Sequence, residues 1–449
     1  MDWINIGFWL IGTLIMVLGP IVLIHELGHF LFAKLAGVRV EEFGFGFPPR
    51  MLKLRRGRGY LQIGNTRVII PAGFRLPAEL KTGDWVEAIA RQDDGSYTLR
   101  SLTQLDPDTD DLAPSREVES ENVQIRGELA ILEPGTLYSL NWLPMGAFVR
   151  MTGEEDPSDP QSLAAQPKRW RLAVLAAGSM FNIIAALLLL AGAYTTGLPE
   201  KWVVRVTEVM PGTAAEQAAI LPGDIVLAVD EERIEEGSLH LSRVIRAVPE
   251  QTVEITILRG EETLSRTATP KPRRCEEGER SCVEGSGFLG IVMTDWPDRT
   301  SLRCLQLPDA VRASVSDFAT ILTMIVQIPS RLIQGDMTPQ EARPTSIVGA
   351  SEILAFSLQQ SLEWKLAFPV LQSASFVSLA LGLTNLLPLP AVDGGRILFV
   401  LIEAVRRRRV SPEREAVVHF VGLMILVILM AFVMFYDIIN PVIPWTWLK

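Results

Sequence analysis

From about Ile6 to Leu35 the chain is apolar for long enough to cross a bilayer, and this run is interrupted by His25-Glu26-Leu27-Gly28-His29. A hydrocarbon core about 30 Å thick takes roughly 20 helical residues, so the interruption falls at membrane depth. Positions i and i+4 share one face of a helix. Two imidazoles placed that way can hold one Zn2+, and the carboxylate beside them can act on water there as general base. An incidental His pair on a surface helix fits poorly, because two histidines and a carboxylate in hydrocarbon are costly and mark function by default.

Three further stretches are long and apolar enough to span. Leu172 to Gly197 and Leu366 to Val392 carry no charge, and Ala416 to Tyr436 carries one histidine. The first span lacks a basic n-region and a small-residue cleavage pattern, so it reads as retained rather than as a signal peptide. With 48% hydrophobic and only 21% charged residues, the chain reads as an integral membrane protein with soluble parts. Its formal charge of −10 has the wrong sign for a nucleic-acid partner, and three cysteines are too few for a disulfide scaffold. Orientation follows from basic loops. Arg396, Arg406, Arg407, Arg408, Arg409 and Arg414 lie between spans three and four. Arg50, Lys53, Arg55, Arg56 and Arg58 follow span one, and Lys168, Arg169 and Arg171 precede span two. Both loops are expected to be cytoplasmic, which leaves both termini and residues 198–365 outside.

A catalytic zinc takes three protein ligands and keeps a position for water. Of the other two histidines, His240 lies in an extramembrane region and His419 in span four, where a polar residue facing a neighbouring helix is the plainer reading. Asp393 is the better third ligand. It follows the uncharged third span, in the pattern N-x-x-P-x-P-x-x-D-G-G from Asn385 to Gly395. Prolines and glycines at that depth break the helix, which is tolerated where backbone is buried or lines a wet cavity.

H-E-x-x-H in the first span and this second pattern in the third together resemble the site-2 protease family of intramembrane zinc metalloproteases, and in particular its bacterial regulator-of-sigma-E-protease branch. The resemblance covers most of the chain apart from roughly residues 76–136. It implies zinc held by His25, His29 and Asp393, with Glu26 as general base and Asn385 holding the substrate backbone or the oxyanion. Asn182, in Gly178-Ser179-Met180-Phe181-Asn182, matches a family asparagine in a G-P-x-x-N context, with Ser179 where proline is usual. Phe43-Gly44-Phe45-Gly46-Phe47-Pro48 resembles the family's G-x-G-x-P loop, which opens a membrane-associated hairpin that pairs with extended substrate. Gly44, Gly46, Asn182 and Asn385 are the substrate-binding residues so implied. A strand edge suits the task, since a transmembrane helix must unwind locally before an amide is accessible and β-augmentation can capture the unwound stretch.

The expected fold is a polytopic α-helical membrane protein of four transmembrane helices, with a membrane-associated β-hairpin or sheet on the cytoplasmic side and an extracytoplasmic PDZ domain. Its expected segments are the first span with the zinc motif at 1–36, the β-hairpin at 37–75 and an acidic β-rich insertion at 76–136. The β element and linker continue at 137–171 and the second span occupies 172–197. A PDZ domain at 198–272, of the circularly permuted bacterial type, is followed by a cysteine-bearing loop at 273–310 and interfacial amphipathic helices at 311–365. The third span with the zinc aspartate takes 366–395 and the fourth 416–437. A second candidate for the continuation of the hairpin, beside Ile70 onward, is Leu143 to Met151, and it fits better. The alternative for 311–333 is a fifth span. Cys275 and Cys282 flank a charged loop on the expected outer face, where a disulfide could persist, leaving Cys304 unpaired.

The function expected from the resemblance is regulated intramembrane proteolysis of a single-pass membrane protein, such as an anti-sigma factor, or of remnant signal peptides. An upstream site-1-type protease would cut first, and the protein would sit among the lipids of a bacterial inner membrane with its active site near the cytoplasmic side. Two rivals are a PDZ-bearing scaffold with an inert or structural metal site, which has no need of Glu26, and a zinc transporter, which has no use for a PDZ domain.

Overall fold

The computed structural model describes residues 7, 10–77, 80–93, 95–106, 115–119, 122–154, 158–273, 284–334 and 344–443. The chain forms two compact units. The first comprises Met1–Leu190, Ser314–Gln360 and Pro369–Lys449, and the second comprises Ala191–Ala313 and Ser361–Phe368.

The first unit opens with α1 (Leu10–Leu35). Leu14–Leu18 within it forms a π turn ahead of Gly19-Pro20. Pro20 has no N–H to offer the preceding turn, and the wider turn absorbs that loss without ending the helix. A β-ribbon follows. Its two members are β1 (Val40–Arg56) and β8 (Leu137–Met151), which are distant in sequence. Both bend back on themselves, β1 after Gly46 at φ +77° and β8 at Gly146 at φ +95°. Gly44 therefore stands opposite Phe148 on one side and Ser139 on the other, while Lys53 is opposite Ser139 from the far side. The result is an interleaved four-strand arrangement in the order 147–151, 40–47, 137–141, 50–56. The hairpin expected within 37–75 is thus replaced by pairing across the insertion, and the Leu143 to Met151 candidate supplies the partner.

Between the two ribbon strands lie β2 (Gly59–Ile63), β3 (Thr66–Ile70), β4 (Trp85–Asp93), β5 (Ser96–Gln104), β6 (Ser115–Glu119) and β7 (Asn122–Glu133). They pair in the order β2-β3-β5-β4-β7, and β7 returns to β2, closing a small barrel with β6 alongside β7. Leu61, Ile63, Val68, Ile70, Val86, Ala88, Ala90, Val123 and Ile125 alternate inward and form its core, as the two-residue period of strands requires. The insertion expected at 76–136 therefore begins earlier, since 59–70 belongs to its sheet. Most of the acidic stretch at 106–121 lies outside the described residues.

The helices of the first unit continue with α2 (Lys168–Gly197), which passes on into the second unit. Small residues bring α1 and α2 close: a Cβ on Gly28 would lie 2.6 Å from Ala177 O.

The second unit contains β9 (Leu198–Pro199), β10 (Trp202–Val209), α3 (Ala214–Gln217), β11 (Ile225–Val229), β12 (Glu232–Arg233) and α4 (Gly237–Ala247). These are followed by β13 (Val253–Arg259), β14 (Glu262–Ala268), β15 (Lys271–Pro272), β16 (Gly287–Phe288), β17 (Ile291–Pro297) and β18 (Leu302–Arg303). The main sheet runs β14-β13-β11-β10-β17, with β12 on β11. Its edge strand β17 lies beyond the expected boundary at 272. Val204, Val206, Val226, Ile255 and Ile257 pack beneath Leu241 and Ile245 of α4. The turn at Pro222-Gly223-Asp224 is fixed by the buried Asp224, which accepts from Arg259 Nε at 2.7 Å and from Leu221 N at 2.8 Å. Cys275 and Cys282 lie outside the described residues, and Cys304 is an exposed free thiol.

The remaining helices are α5 (Leu307–Gln334), α6 (Ile347–Trp364), α7 (Phe368–Leu386), α8 (Asp393–Arg406) and α9 (Pro412–Ile439). Among the described residues five helices, α1, α2, α5, α7 and α9, are long and apolar enough to cross a membrane, so the chain is polytopic. The expected third span stops being helical after Leu386, and Asp393 opens a new helix. Two buried carboxylates tie α6 to the end of α9. Asp437 Oδ2 accepts from Ser346 N at 2.8 Å, and Glu352 Oε2 accepts from Val442 N at 2.8 Å.

Candidate metal centre

Asp393 is delivered by a backbone that doubles back between α7 and α8. The fold-back needs Gly394 and Gly395: a Cβ on either would lie 2.1 Å from Leu387 O or 2.2 Å from Leu389 O respectively. Ala391 sits at φ +74°, a left-handed conformation that costs a residue bearing Cβ. The loop is held from α9, where His419 Nδ1 accepts from Ala391 N–H at 3.1 Å and Gly422 leaves room for Pro390.

His25 and His29 come from successive turns of α1. Their Nε2 atoms lie 3.1 and 3.2 Å from Asp393 Oδ2 and 3.2 Å from each other. These three residues are the cluster of potential ligands found among the described residues, with both histidines buried. The donor set, two imidazoles and one carboxylate, is one that zinc takes with a coordination position left open.

The outer nitrogens of the rings support this. His29 Nδ1 donates to Val174 O of α2 at 2.8 Å, which leaves the lone pair on Nε2. His25 Nδ1 lies 3.3 Å from the Asn182 amide nitrogen, while buried Asn182 Oδ1 has no hydrogen-bond partner. With that amide turned over, Oδ1 accepts from His25 Nδ1–H, satisfying both atoms and again baring Nε2. Gly178 supplies the space. A Cβ there would lie 2.3 Å from His29 Nε2 and 2.8 Å from His25 Nε2.

Two further groups face the cluster. Glu26 Oε2 accepts from Val149 N–H of β8 at 3.1 Å, so the carboxylate reaches the ribbon's outer strand. Asn385 Nδ2 lies 3.4 Å from His25 Nε2. The ribbon bend is clamped by Arg50, whose Nη2 donates to Glu42 at 2.6 Å, and by Ser139 Oγ at 2.6 Å. Burial pushes the Glu42 carboxyl up, but Arg50 and Ser139 outweigh it and hold it below the usual carboxylate range.

His25, His29, Asp393, Glu26 and Asn385 are thus brought together. The expected substrate role of the other three fares differently. Gly44 has a strand on each side and offers no open edge; its missing Cβ instead makes room for Phe148 Cε1, which a Cβ would meet at 2.3 Å. Gly46 makes the bend. Asn182 is buried against His25. The ribbon strand nearest Glu26 is 147–151, which among the described residues has a strand partner, 40–45, on one side alone. Gly178, Val174 and His419 were not anticipated in these roles. Gly178 precedes Asn182 by four residues, which places both on one helix face, but nothing local says what that face meets.

The family model of peptidase family M50 matches residues 13–73 and 124–429. The chain is 28% identical to "Zinc metalloprotease RasP" of Geobacillus kaustophilus (strain HTA426), over 95% of this chain and 97% of that protein. It is 27% identical to "Regulator of sigma-W protease RasP" of Bacillus subtilis (strain 168), over 94% and 97%. It is 25% identical to "Probable protease eep" of Enterococcus faecalis (strain ATCC 700802 / V583), over 95% and 98%.

Proposed function

This chain belongs to peptidase family M50, and from that premise we propose that His25, His29 and Asp393 hold the zinc of an intramembrane endopeptidase, with Glu26 as its general base. The observation that carries the assignment is the convergence of the three ligand atoms within 4.8 Å of one another, from two helices of an apolar bundle. Zinc held there supplies a Lewis acid that brings the pKa of water towards about 7 and polarises a carbonyl. Glu26 takes the proton of the attacking water and returns it to the leaving amine. Asn385 donates its amide N–H to the oxygen on which charge develops. Val174 and Asn182 keep the two imidazoles in the tautomer that presents Nε2.

Substrate is captured as an added strand on the 147–151 edge. The Val149 N–H that Glu26 now accepts is a ladder donor for such a strand. When an extended chain takes it, the carboxylate is released towards water beside the scissile bond. The exposed Phe47, Met51, Leu52, Leu54, Trp142 and Leu143 keep this ribbon in the bilayer, where an unwound substrate helix emerges.

The substrate class is a single-pass membrane protein already trimmed by another protease, with an anti-sigma factor or a remnant signal peptide as the expected kinds; the sigma-W name of the Bacillus subtilis relative points the same way. We read α5 as lying in the interface rather than as a fifth span. Asp309, Arg312, Ser316, Thr320, Thr323, Gln327, Arg331 and Gln334 step along it by three or four residues, giving one polar stripe opposite an apolar face. Four spans keep both basic loops cytoplasmic, as the positive-inside rule requires. The sheet of the second unit, with α4 beside its edge strand β17, is read as the PDZ domain on the outer side, binding an extended chain or excluding bulky ectodomains. The test is co-expression with tagged, ectodomain-truncated single-span proteins. The wild type yields a shortened product, and His25→Ala and Asp393→Ala yield none and lose zinc. Cleavage that persists in both variants rules the assignment out.

A further inference from the structure

A second cluster of charge lies away from the metal centre, where the end of α1, the base of the ribbon and the barrel meet. They enclose a cavity of about 530 Å3 lined by Lys34, Arg39, Arg56, Arg58 and Arg67. Two carboxylates, Glu41 and Glu133, share the lining, so the cavity is strongly cationic. Its cations are unequally engaged. Arg39 is paired with Asp159 at 2.5 Å, and Arg67 stacks over Tyr60 at 3.8 Å from the ring centroid. Lys34, Arg56 and Arg58 make no ion pair among the described residues. Glu41 is turned to Thr152, which donates to it at 3.0 Å. Glu133 acts on Lys34 from the same lining, so five cations face two carboxylates there, and the excess of positive charge around one space is an arrangement that an anion relieves.

The level of the cavity indicates which anion. α1 has 26 residues, about 39 Å at 1.5 Å per residue, and so outruns a hydrocarbon core of about 30 Å. With the excess at the end that leads into the basic run Arg50–Arg58, Lys34, on the last turn, comes to headgroup depth. The apolar ribbon strands rise into the bilayer from the same base, with Trp142 63% exposed and Leu52 53% exposed. Basic pockets beside transmembrane helices at this depth suit phosphate-bearing headgroups.

We propose that this cavity binds a phosphate-bearing anion, with the headgroup of an anionic glycerophospholipid as its occupant, and that the lipid anchors the base of the catalytic ribbon. Arg56 and Arg58 grip the phosphate and Lys34 adds charge from the helix end. Arg39, already committed to Asp159, shapes the wall. The site is separate from the metal ligands, so it stands or falls independently of the zinc assignment.

The test is native mass spectrometry of the full chain in detergent, titrated with phosphatidylglycerol or phosphatidylcholine. Zinc content is read on the same samples, and inorganic phosphate and glycerol phosphate serve as competitors. The wild type prefers phosphatidylglycerol by on the order of tenfold or more. Arg56→Gln/Arg58→Gln erases the preference while keeping wild-type zinc content, which shows the membrane bundle intact. Arg56→Lys/Arg58→Lys retains most of it, and Arg233→Gln/Arg243→Gln, on the second unit, changes nothing. Resistance of the bound lipid to millimolar glycerol phosphate identifies the lipid as occupant. Displacement by inorganic phosphate alone assigns the cavity to a free phosphate and overturns the lipid reading. Equal affinity for the two lipids, or a preference unchanged in the glutamine variant, overturns the proposal.

Discussion

Gly178 lies directly against His29: a Cβ at that position would sit 2.3 Å from the Nε2 atom that faces Asp393. The contact turns a glycine in the middle of a membrane helix into part of the metal centre. Alanine is the better helix former by roughly 1 kcal/mol, so Gly178→Ala is not expected to unfold α2. It is expected to displace the imidazoles and to lower bound zinc and proteolysis by tenfold or more, roughly the scale of a lost supporting contact. Metal analysis of the purified variant beside a cleavage assay checks this. Full zinc occupancy in Gly178→Ala would show that the histidines move aside freely.

Asn182 tests the orientation of the second imidazole. If its Oδ1 accepts from His25 Nδ1–H, Asn182→Asp keeps the acceptor and Asn182→Leu loses it. Zinc affinity should fall about 10- to 100-fold in the leucine variant and much less in the aspartate variant. A competition titration with a zinc chelator measures both. An aspartate variant as weak as the leucine one would contradict the acceptor role.

How much of this was legible from residues alone follows from the range of the contacts. His25, Glu26 and His29 announce themselves because their spacing is local and their polarity is costly at that depth. Asp393 is visible for the same reason of cost. Gly178 and Asn182 act across an interface between α1 and α2, and no local pattern says which face of α2 meets which imidazole. The ribbon is hidden differently. β1 finds its partner beyond the inserted barrel, and each strand bends to pair twice, so Gly44 looks like an edge residue and is an interior one. An average over a window of α5 registers its apolar length, by which it qualifies as a span, and does not register the polar stripe on which the proposed interfacial reading rests.

His419 reaches the metal centre through a backbone amide. It accepts from Ala391 N–H, two residues before Asp393. His419→Leu removes that acceptor from a loop already strained at Ala391. The expected outcome is a fall in kcat on the order of ten- to a hundredfold from a displaced carboxylate, with KM for a single-span substrate little changed. His419→Gln, which restores an acceptor, should recover part of it. Steady-state kinetics on a fluorogenic transmembrane substrate separates the two constants, and a change confined to KM would count against this role.

The second unit carries its own pH dependence. Burial pushes the Asp224 carboxyl up, but the Arg259 guanidinium and the Leu221 amide outweigh it and hold it below the ordinary carboxylate value. A depressed folded-state pKa means that the stabilisation is present above the unfolded value near about 4 and is lost as pH falls through the folded value. Hydrogen exchange of the intact protein in β11 and β13 should therefore accelerate below about pH 4. Asp224→Asn should remove that acid-dependent change and lower local stability by about 2 kcal/mol at neutral pH. Protection in those strands that is the same at pH 3 and pH 6, after correction for intrinsic exchange, would count against it.

The central claim is that Glu26 is the base of a zinc-dependent intramembrane peptidase. The most direct measurement purifies wild type and Glu26→Gln, determines zinc in each, and reconstitutes both with one ectodomain-truncated single-span substrate. The account predicts near-stoichiometric zinc in both proteins and a cleaved product from the wild type alone. Equal cleavage by Glu26→Gln at equal zinc content would contradict it.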